Sequence, residues 1–193
     1  MMGPNGDQPK CSWSKSKKYC FATDYNDHFE TPLKAYEDIL PLLDLMAPES
    51  SVEDDKHVLK GRAGCSSTRK DHVLYDPYYC NGRTKILLNQ LGFSSAINEE
   101  RDFYQDILNK TCPPHHTLIT NPPYSADHKK RCIQYALQGL RKPQSENGES
   151  NSPSFLRPYC PFFLLMPNYV ATKNYYKELI STTFVVSTFT LTT

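Results

Sequence analysis

"HTLITNPPYSADH", residues 116–128, is the stretch on which the reading of this chain turns. Thr117 to Thr120 are apolar or β-branched and read as a strand, and they run straight into Asn121-Pro122-Pro123-Tyr124. Each proline lacks an N–H and has φ fixed at about −65°, so the pair can continue neither a central strand nor a helix interior. The strand is therefore expected to end in a stiff elbow, with an amide before it and an aromatic ring after it. The plain alternatives are a surface turn or a proline-rich ligand for a WW-type domain. WW ligands place a residue between Pro-Pro and Tyr, however, and a buried strand argues against an exposed polyproline segment.

A second unusual turn lies upstream, in "HVLYDPYYCNGRTKILLNQLGF" (72–93). Val73 to Tyr75 read as a strand, Asp76 to Gly82 as a turn, and Thr84 to Leu91 as a helix closed by Gly92. "FSSAI" (93–97) reads as a short strand ending near Glu99 and Glu100, and "RDFYQDIL" (101–108) as a helical turn or short strand. "DHKKRCIQYALQGLRK" (127–142) reads as a helix, "PFFLLMPNYV" (161–170) as a buried strand, and "TKNYYKELI" (172–180) as a helix. Before the first turn, "FETPLKAYEDILPLLDLMA" (29–47) carries a helical pattern in Leu33, Tyr36, Ile39, Leu40 and Leu43. Thr31 is its expected N-cap, Pro32 its first residue, and Pro41 an expected kink or break. Strands alternating with helices imply an α/β fold with a mostly parallel sheet and right-handed crossovers. Ligands of such sheets sit beyond the carboxyl ends of the strands, where both turns fall.

The remainder bounds the problem. The 193 residues suffice for one domain with a real core, and the net charge of +1 announces neither a nucleic-acid nor a membrane partner. No apolar run approaches membrane-spanning length, and the polar start of the chain is unlike a secretory signal. Seven cysteines, with no Cys-x-x-Cys, read as reduced thiols of a cytoplasmic or nuclear protein. Cys11, Cys20 and His28 amount at most to half a zinc site, and no metal is expected. His115 and His116 read as a loop, since adjacent histidines in a strand point to opposite faces. Residues 1–27 read as a flexible polar tail, 28–193 as the folded domain, 142–158 as a disordered insertion within it, and 48–70 as a loop.

Physical chemistry alone gives the two turns a direction. The first is neither a Walker loop nor a G-x-G-x-x-G, so a phosphate ligand is not indicated. Asn98, Glu99 and Glu100 stand where an acid of a Rossmann-like sheet reaches a ribose, although Glu99/Glu100 read equally well as a solvated pair. A ribose without phosphate, in a pocket with acids, points to a cationic nucleoside.

Asn121-Pro122-Pro123-Tyr124 resembles the (Asp/Asn)-Pro-Pro-(Tyr/Phe/Trp) signature of the amino-methyltransferases among class I S-adenosylmethionine-dependent methyltransferases. Asp76-Pro77-Tyr78-Tyr79-Cys80-Asn81-Gly82 is similar to their cofactor loop, and Phe29-Glu30-Thr31-Pro32 to the Thr-Pro segment that precedes it in DNA adenine methyltransferases. The resemblance spans roughly residues 28–180. It implies a Rossmann-like class I methyltransferase fold with helices on both faces of the sheet, S-adenosyl-L-methionine as cofactor, and methylation of an exocyclic amine, adenine N6 foremost. By the same resemblance Asn121, Pro122, Pro123 and Tyr124 are catalytic. Asp76, Pro77, Tyr78, Tyr79, Cys80 and Gly82 flank the methionine portion, with Phe29, Thr31 and Pro32 closing over it. Asn98 or Glu99 binds the ribose, while Asp102 and Phe103 hold the adenine. The physics is coherent: the Asn121 oxygen and the Pro122 carbonyl accept the two N–H bonds of the amine and steer its lone pair, the prolines hold both acceptors rigid, and Tyr124 stacks on a flipped base.

The chain departs from the family at three points. Cys80 stands where the first loop glycine belongs, the interval from Glu99 to Asn121 is short for a full helix and strand, and "STFTLTT" (187–193) offers too little for the usual C-terminal hairpin, which is expected to be incomplete. The expected partners are RNA, DNA or a protein substrate, with a partner subunit contributing recognition. The alternative functions are methylation of a protein side-chain amide or amine, and a truncated, non-catalytic binding module.

Overall fold

The computed structural model describes residues 29–47, 66–139 and 160–181. The tail at 1–27, the insertion at 142–158 and the C-terminal segment from 182 lie outside them. Three parallel strands form the sheet: β1 (Leu74–Tyr75), β2 (Thr117–Thr120) and β3 (Phe162–Leu164), in that spatial order. On the other side of β1, Ile97 forms a parallel bridge with Tyr75, and its carbonyl accepts from the Asp76 amide at 2.9 Å. The chain thus leaves β1 toward one side, reaches Ile97, and crosses back to the opposite side for β2 and β3. Such a reversal opens a crevice at the carboxyl ends of the strands where it occurs.

Helices cover both faces, and strand alternation explains why. Leu74 and Ile119 point into one apolar cluster with Tyr36 and Leu43 of α1 (Leu33–Met46) and Leu87 and Leu88 of α3 (Arg83–Gln90). Their neighbours Tyr75 and Leu118 point the other way, toward Phe103 of α4 (Phe103–Asn109) and Tyr135 and Ala136 of α5 (His128–Gln138). Successive strand residues face opposite sides, so a strand apolar at every position needs a layer on each. Leu74, Leu88 and Leu118 are at most 1% exposed; each contributes roughly 1.5–3 kcal/mol by leaving water. A third cluster seats α6 (Asn174–Ser181) against Ile133 and Leu137.

Several expectations are corrected. Helix α1 runs unbroken through Pro41, whose ring is on the exposed side, and Pro32 rather than Thr31 is its N-cap. Thr31 is instead a buried residue just ahead of the helix, and the buried Tyr36 phenol donates to the Thr84 hydroxyl at 3.2 Å. Within the expected 48–70 loop, the described part is helical: α2 (Ser66–Asp71), fixed when Arg69 grips Asp44 of α1 with two bonds of 2.5 Å. Of the two readings left open for 101–108 the helical one holds, as a helix over Phe103–Asn109, with the Asp102 carboxylate accepting from the Tyr104 and Gln105 amides at its start. Strand β3 is half-buried rather than buried, because among the described residues it pairs with β2 alone. His115 and His116 do lie before the strand, and among the described residues no group of side chains could hold a metal ion. Among them too, no helix is long and apolar enough to cross a membrane.

Candidate functional site

The two turns leave neighbouring strands at the same edge of the sheet, and Asp76 ties them together. Its carboxylate, 4% exposed, accepts from the Thr120 hydroxyl at 2.5 Å, the Tyr78 amide at 3.1 Å and the Thr84 hydroxyl at 2.8 Å. Thr120 is the last residue of β2, and Thr84 lies in the first turn of α3. Burial pushes the Asp76 pKa up to about 6, and the three donors hold it from rising further. The backbone of the same turn is clasped by Asn98, whose Nδ2 donates to the carbonyls of Asp76 (3.1 Å) and Tyr78 (3.3 Å).

Asn121 is oriented from the opposite direction. Its Nδ2 donates to the Phe29 carbonyl at 3.2 Å. A carbonyl can only accept, so the amide nitrogen must face Phe29 and the oxygen must turn away. That oxygen, Oδ1, is buried and has no hydrogen-bond partner, and the same holds for Asn98 Oδ1. An orphaned acceptor has lost its water without compensation, which costs about 1–3 kcal/mol. Of the two, only Asn121 lines a cleft from which a donor could reach it.

Between the turns and the Phe29–Thr31 strap lies a small cleft, lined by Asp76, Tyr78, Tyr79, Cys80 and Asn121 on the protein side. Its volume is about 10 Å³, room for a single water molecule. The Tyr79 ring packs on Gly82 so closely that a Cβ there would meet it at 2.9 Å. Gly82 has φ +75°, a left-handed turn that suits glycine, whereas Cys80 adopts φ +48° with a side chain. Burial raises the Cys80 thiol to about 11, so it stays protonated and poorly nucleophilic. A nucleoside cofactor fits the polar groups of the cleft in part: Asn121 and Glu30 offer acceptors there, while Asn98 lies behind the first turn, outside the lining. It does not fit the closed volume, since a ligand of that size needs several hundred Å³, on the order of 300 at least. Entry requires the strap to lift and the Tyr79 ring to swing away. The ties are long: Asn121 to Phe29 at 3.2 Å, and Asn81 and Arg83 each to Glu30 at 3.3 Å.

The other sequence candidates fall elsewhere. Neither member of the ribose pair lines the cleft: Glu99 is exposed and stands 3.7 Å from Arg101, while Asn98 is buried against the backbone of the first turn. Phe103 is 3% exposed, its ring edge-on to Tyr75, Tyr78 and Tyr135, so its faces belong to the core. The Asp102 carboxylate caps α4. Pro32 starts α1, Pro77 is buried within the first turn, and Pro122 is fully buried beneath the elbow. Pro123 and Tyr124 are half-buried beside the cleft rather than in it. The Tyr124 hydroxyl reaches the Leu165 carbonyl at 3.5 Å, and its own carbonyl accepts from Lys129 Nζ.

Thr84, Thr120, Glu30 and Arg83 were not anticipated. Thr120 carries a faint signal, a hydroxyl at the last strand position before the prolines. Nothing local marks Thr84 as its counterpart. No protein-family model, curated protein or solved structure matches the chain.

Proposed function

We propose that this chain is an S-adenosylmethionine-dependent N-methyltransferase on a Rossmann-like class I scaffold, acting on the exocyclic amine of a nucleic-acid base, adenine N6 foremost. The observation that carries the reading is the buried, unpartnered Asn121 Oδ1 at the elbow after β2. An exocyclic amine is a poor nucleophile because its lone pair is delocalised into the ring. Asn121 Oδ1 accepts one of its N–H bonds, the Pro122 carbonyl accepts the other, and the nitrogen moves toward a tetrahedral shape. Pro122 and Pro123 hold both acceptors without further ordering. The Phe29–Thr31 strap excludes water once closed. When bound, the cofactor supplies an electrophilic methyl group on a sulfonium. Alignment supplies much of the rate, a contribution of up to about 7–11 kcal/mol for well-oriented reactants.

The test is calorimetric titration of the chain with S-adenosylmethionine, with tritiated methyl transfer to RNA, DNA and protein pools, for the natural chain and Asn121→Ala. Cofactor heat together with transfer that Asn121→Ala lowers about 10²–10³-fold is the expected result. Absence of both heat and transfer removes the enzyme, and transfer undiminished in Asn121→Ala removes the role given to Asn121. The closed cleft and the Tyr79 ring on Gly82 favour a second reading, a non-catalytic methyltransferase-like module that binds a partner and not the cofactor. Cofactor heat separates the two.

A further inference from the structure

Immediately beyond the elbow, a larger cleft of about 410 Å³ opens between the start of α5 and residues 169–175. Ala126 and Asp127, which follow Tyr124 closely in the chain, form one wall with Lys129 and Lys130, and Tyr169, Lys173 and Tyr175 form the other. Three lysines against one aspartate leave it a net charge of +2. Lys129 joins it to the elbow by donating to the Tyr124 carbonyl. Among the described residues, neither Lys130 nor Lys173 forms an ion pair with an acid. Lys173 Nζ lies 5.6 Å from the centre of the Tyr169 ring, and Tyr169 is 45% exposed.

We propose that this cleft binds the backbone of a single-stranded nucleic acid and delivers its base to the Asn121 elbow. The inference rests on the methyltransferase reading and gives it a substrate class. Lysines neutralise phosphates without regard to sequence, while tyrosine faces accept the stacked bases of one strand. An acidic peptide would satisfy the lysines and leave the aromatic faces idle. A duplex suits less well, because a paired base must leave the stack before its amine reaches a buried acceptor.

Fluorescence anisotropy of the full chain tests this, with short labelled single strands of DNA and of RNA, a duplex of the same sequence, and a glutamate-rich peptide. Single strands are expected to bind more tightly than the duplex and the peptide. Lys130→Glu and Lys173→Glu are each expected to weaken strand binding at least roughly 10-fold and to lower the salt slope by about one. Tyr169→Ala is expected to weaken it without changing that slope. If charge reversal unfolds the chain, as judged by circular dichroism, Lys130→Gln and Lys173→Gln take its place. Unchanged affinity and slope in the doubly substituted chain overturn the proposal. So does tighter binding of the peptide, which would assign the cleft to a protein substrate. Strand binding without cofactor heat keeps this site and removes the methyltransferase reading; cofactor heat without strand binding does the reverse.

Discussion

The turn after β1 and the turn after β2 leave adjacent parallel strands at one edge of the sheet, yet they treat their polar groups in opposite ways. At Asp76 every carboxylate oxygen is engaged, by Thr120, Thr84 and the Tyr78 amide. At Asn121 one amide atom is engaged by the strap and the other is left buried and bare. A satisfied carboxylate with no room beside it does structural work. A bare acceptor is a cost that folding tolerates where a ligand later removes it. The contrast divides two turns that looked alike in sequence: the first is closed on itself by its own hydrogen bonds, and the second leaves an acceptor bare.

The largest expected effect breaks the first half of that division. Asp76→Ala removes the acceptor of three donors at once, on the order of 4 kcal/mol at about 1–3 kcal/mol for each stranded group. That is a large part of the 5–15 kcal/mol or so that a domain commands. Urea denaturation should show the loss as a lower midpoint. An unchanged midpoint would mean that the staple between the turns contributes nothing.

Asn121→Ala should behave in the opposite sense. Its oxygen has no partner to strand, so the denaturation midpoint should move little. By analogy with removal of one preorganised hydrogen-bonding group, methyl transfer should fall about 10²–10³-fold. A variant equally harmed in stability and in transfer would erase the distinction between the turns.

Much of this arrangement was legible and some was not, for definable reasons. Strand β2 and the elbow were readable because the β-branched run and the prolines are local signals. The faces of α1 were readable from the spacing of Tyr36 and Leu43. The staple was not, since Asp76 and Thr120 lie 44 residues apart and meet only because β1 and β2 pair in parallel. Phe103 misled because a sequence cannot say which way a ring points, and here it points into the core. Pro41 misled because a proline costs a helix one N–H bond, and packing of Tyr36 and Leu43 on either side offsets that loss.

Acidity sharpens the comparison at the next level of effect. Burial raises the Asp76 carboxyl from the ordinary 3.8 of an unfolded chain to about 6 in the fold. Between those values the folded state keeps a proton that the unfolded state has given up, so stability falls as pH rises through the window. The total is on the order of 3 kcal/mol. His72 works against it. Its ring is fully buried, with Thr117 on Nε2, and burial, with His116 beside it and Asp44 opposing, lowers its pKa from 6.5 to about 4. There the unfolded state holds the extra proton, and stability rises with pH over nearly the same range. The natural chain should therefore be nearly level in this interval as far as these two groups go. Asp76→Asn removes one term, and the difference between the two urea-midpoint profiles cancels every other titrating group. That difference should grow steadily from pH 4 to 6 in favour of the variant. A flat difference would mean that Asp76 is not strained by its burial.

The smallest effect concerns the position where the first turn departs from the resemblance. Cys80 holds a left-handed φ of +48°, which costs an L-residue with a side chain roughly 1–2 kcal/mol. Glycine adopts it without that cost but loses more freedom on folding, about 0.5–1 kcal/mol. Cys80→Gly should therefore raise the denaturation midpoint only slightly, by about 0.5–1 kcal/mol. Its effect on the cleft should be the more informative one. The Cys80 side chain lines a space that holds one water, so its removal should ease entry and strengthen cofactor heat in the calorimeter. A stability gain with no change in cofactor affinity would mean that Cys80 matters only to the backbone of the turn, and that the strap and the Tyr79 ring alone control access.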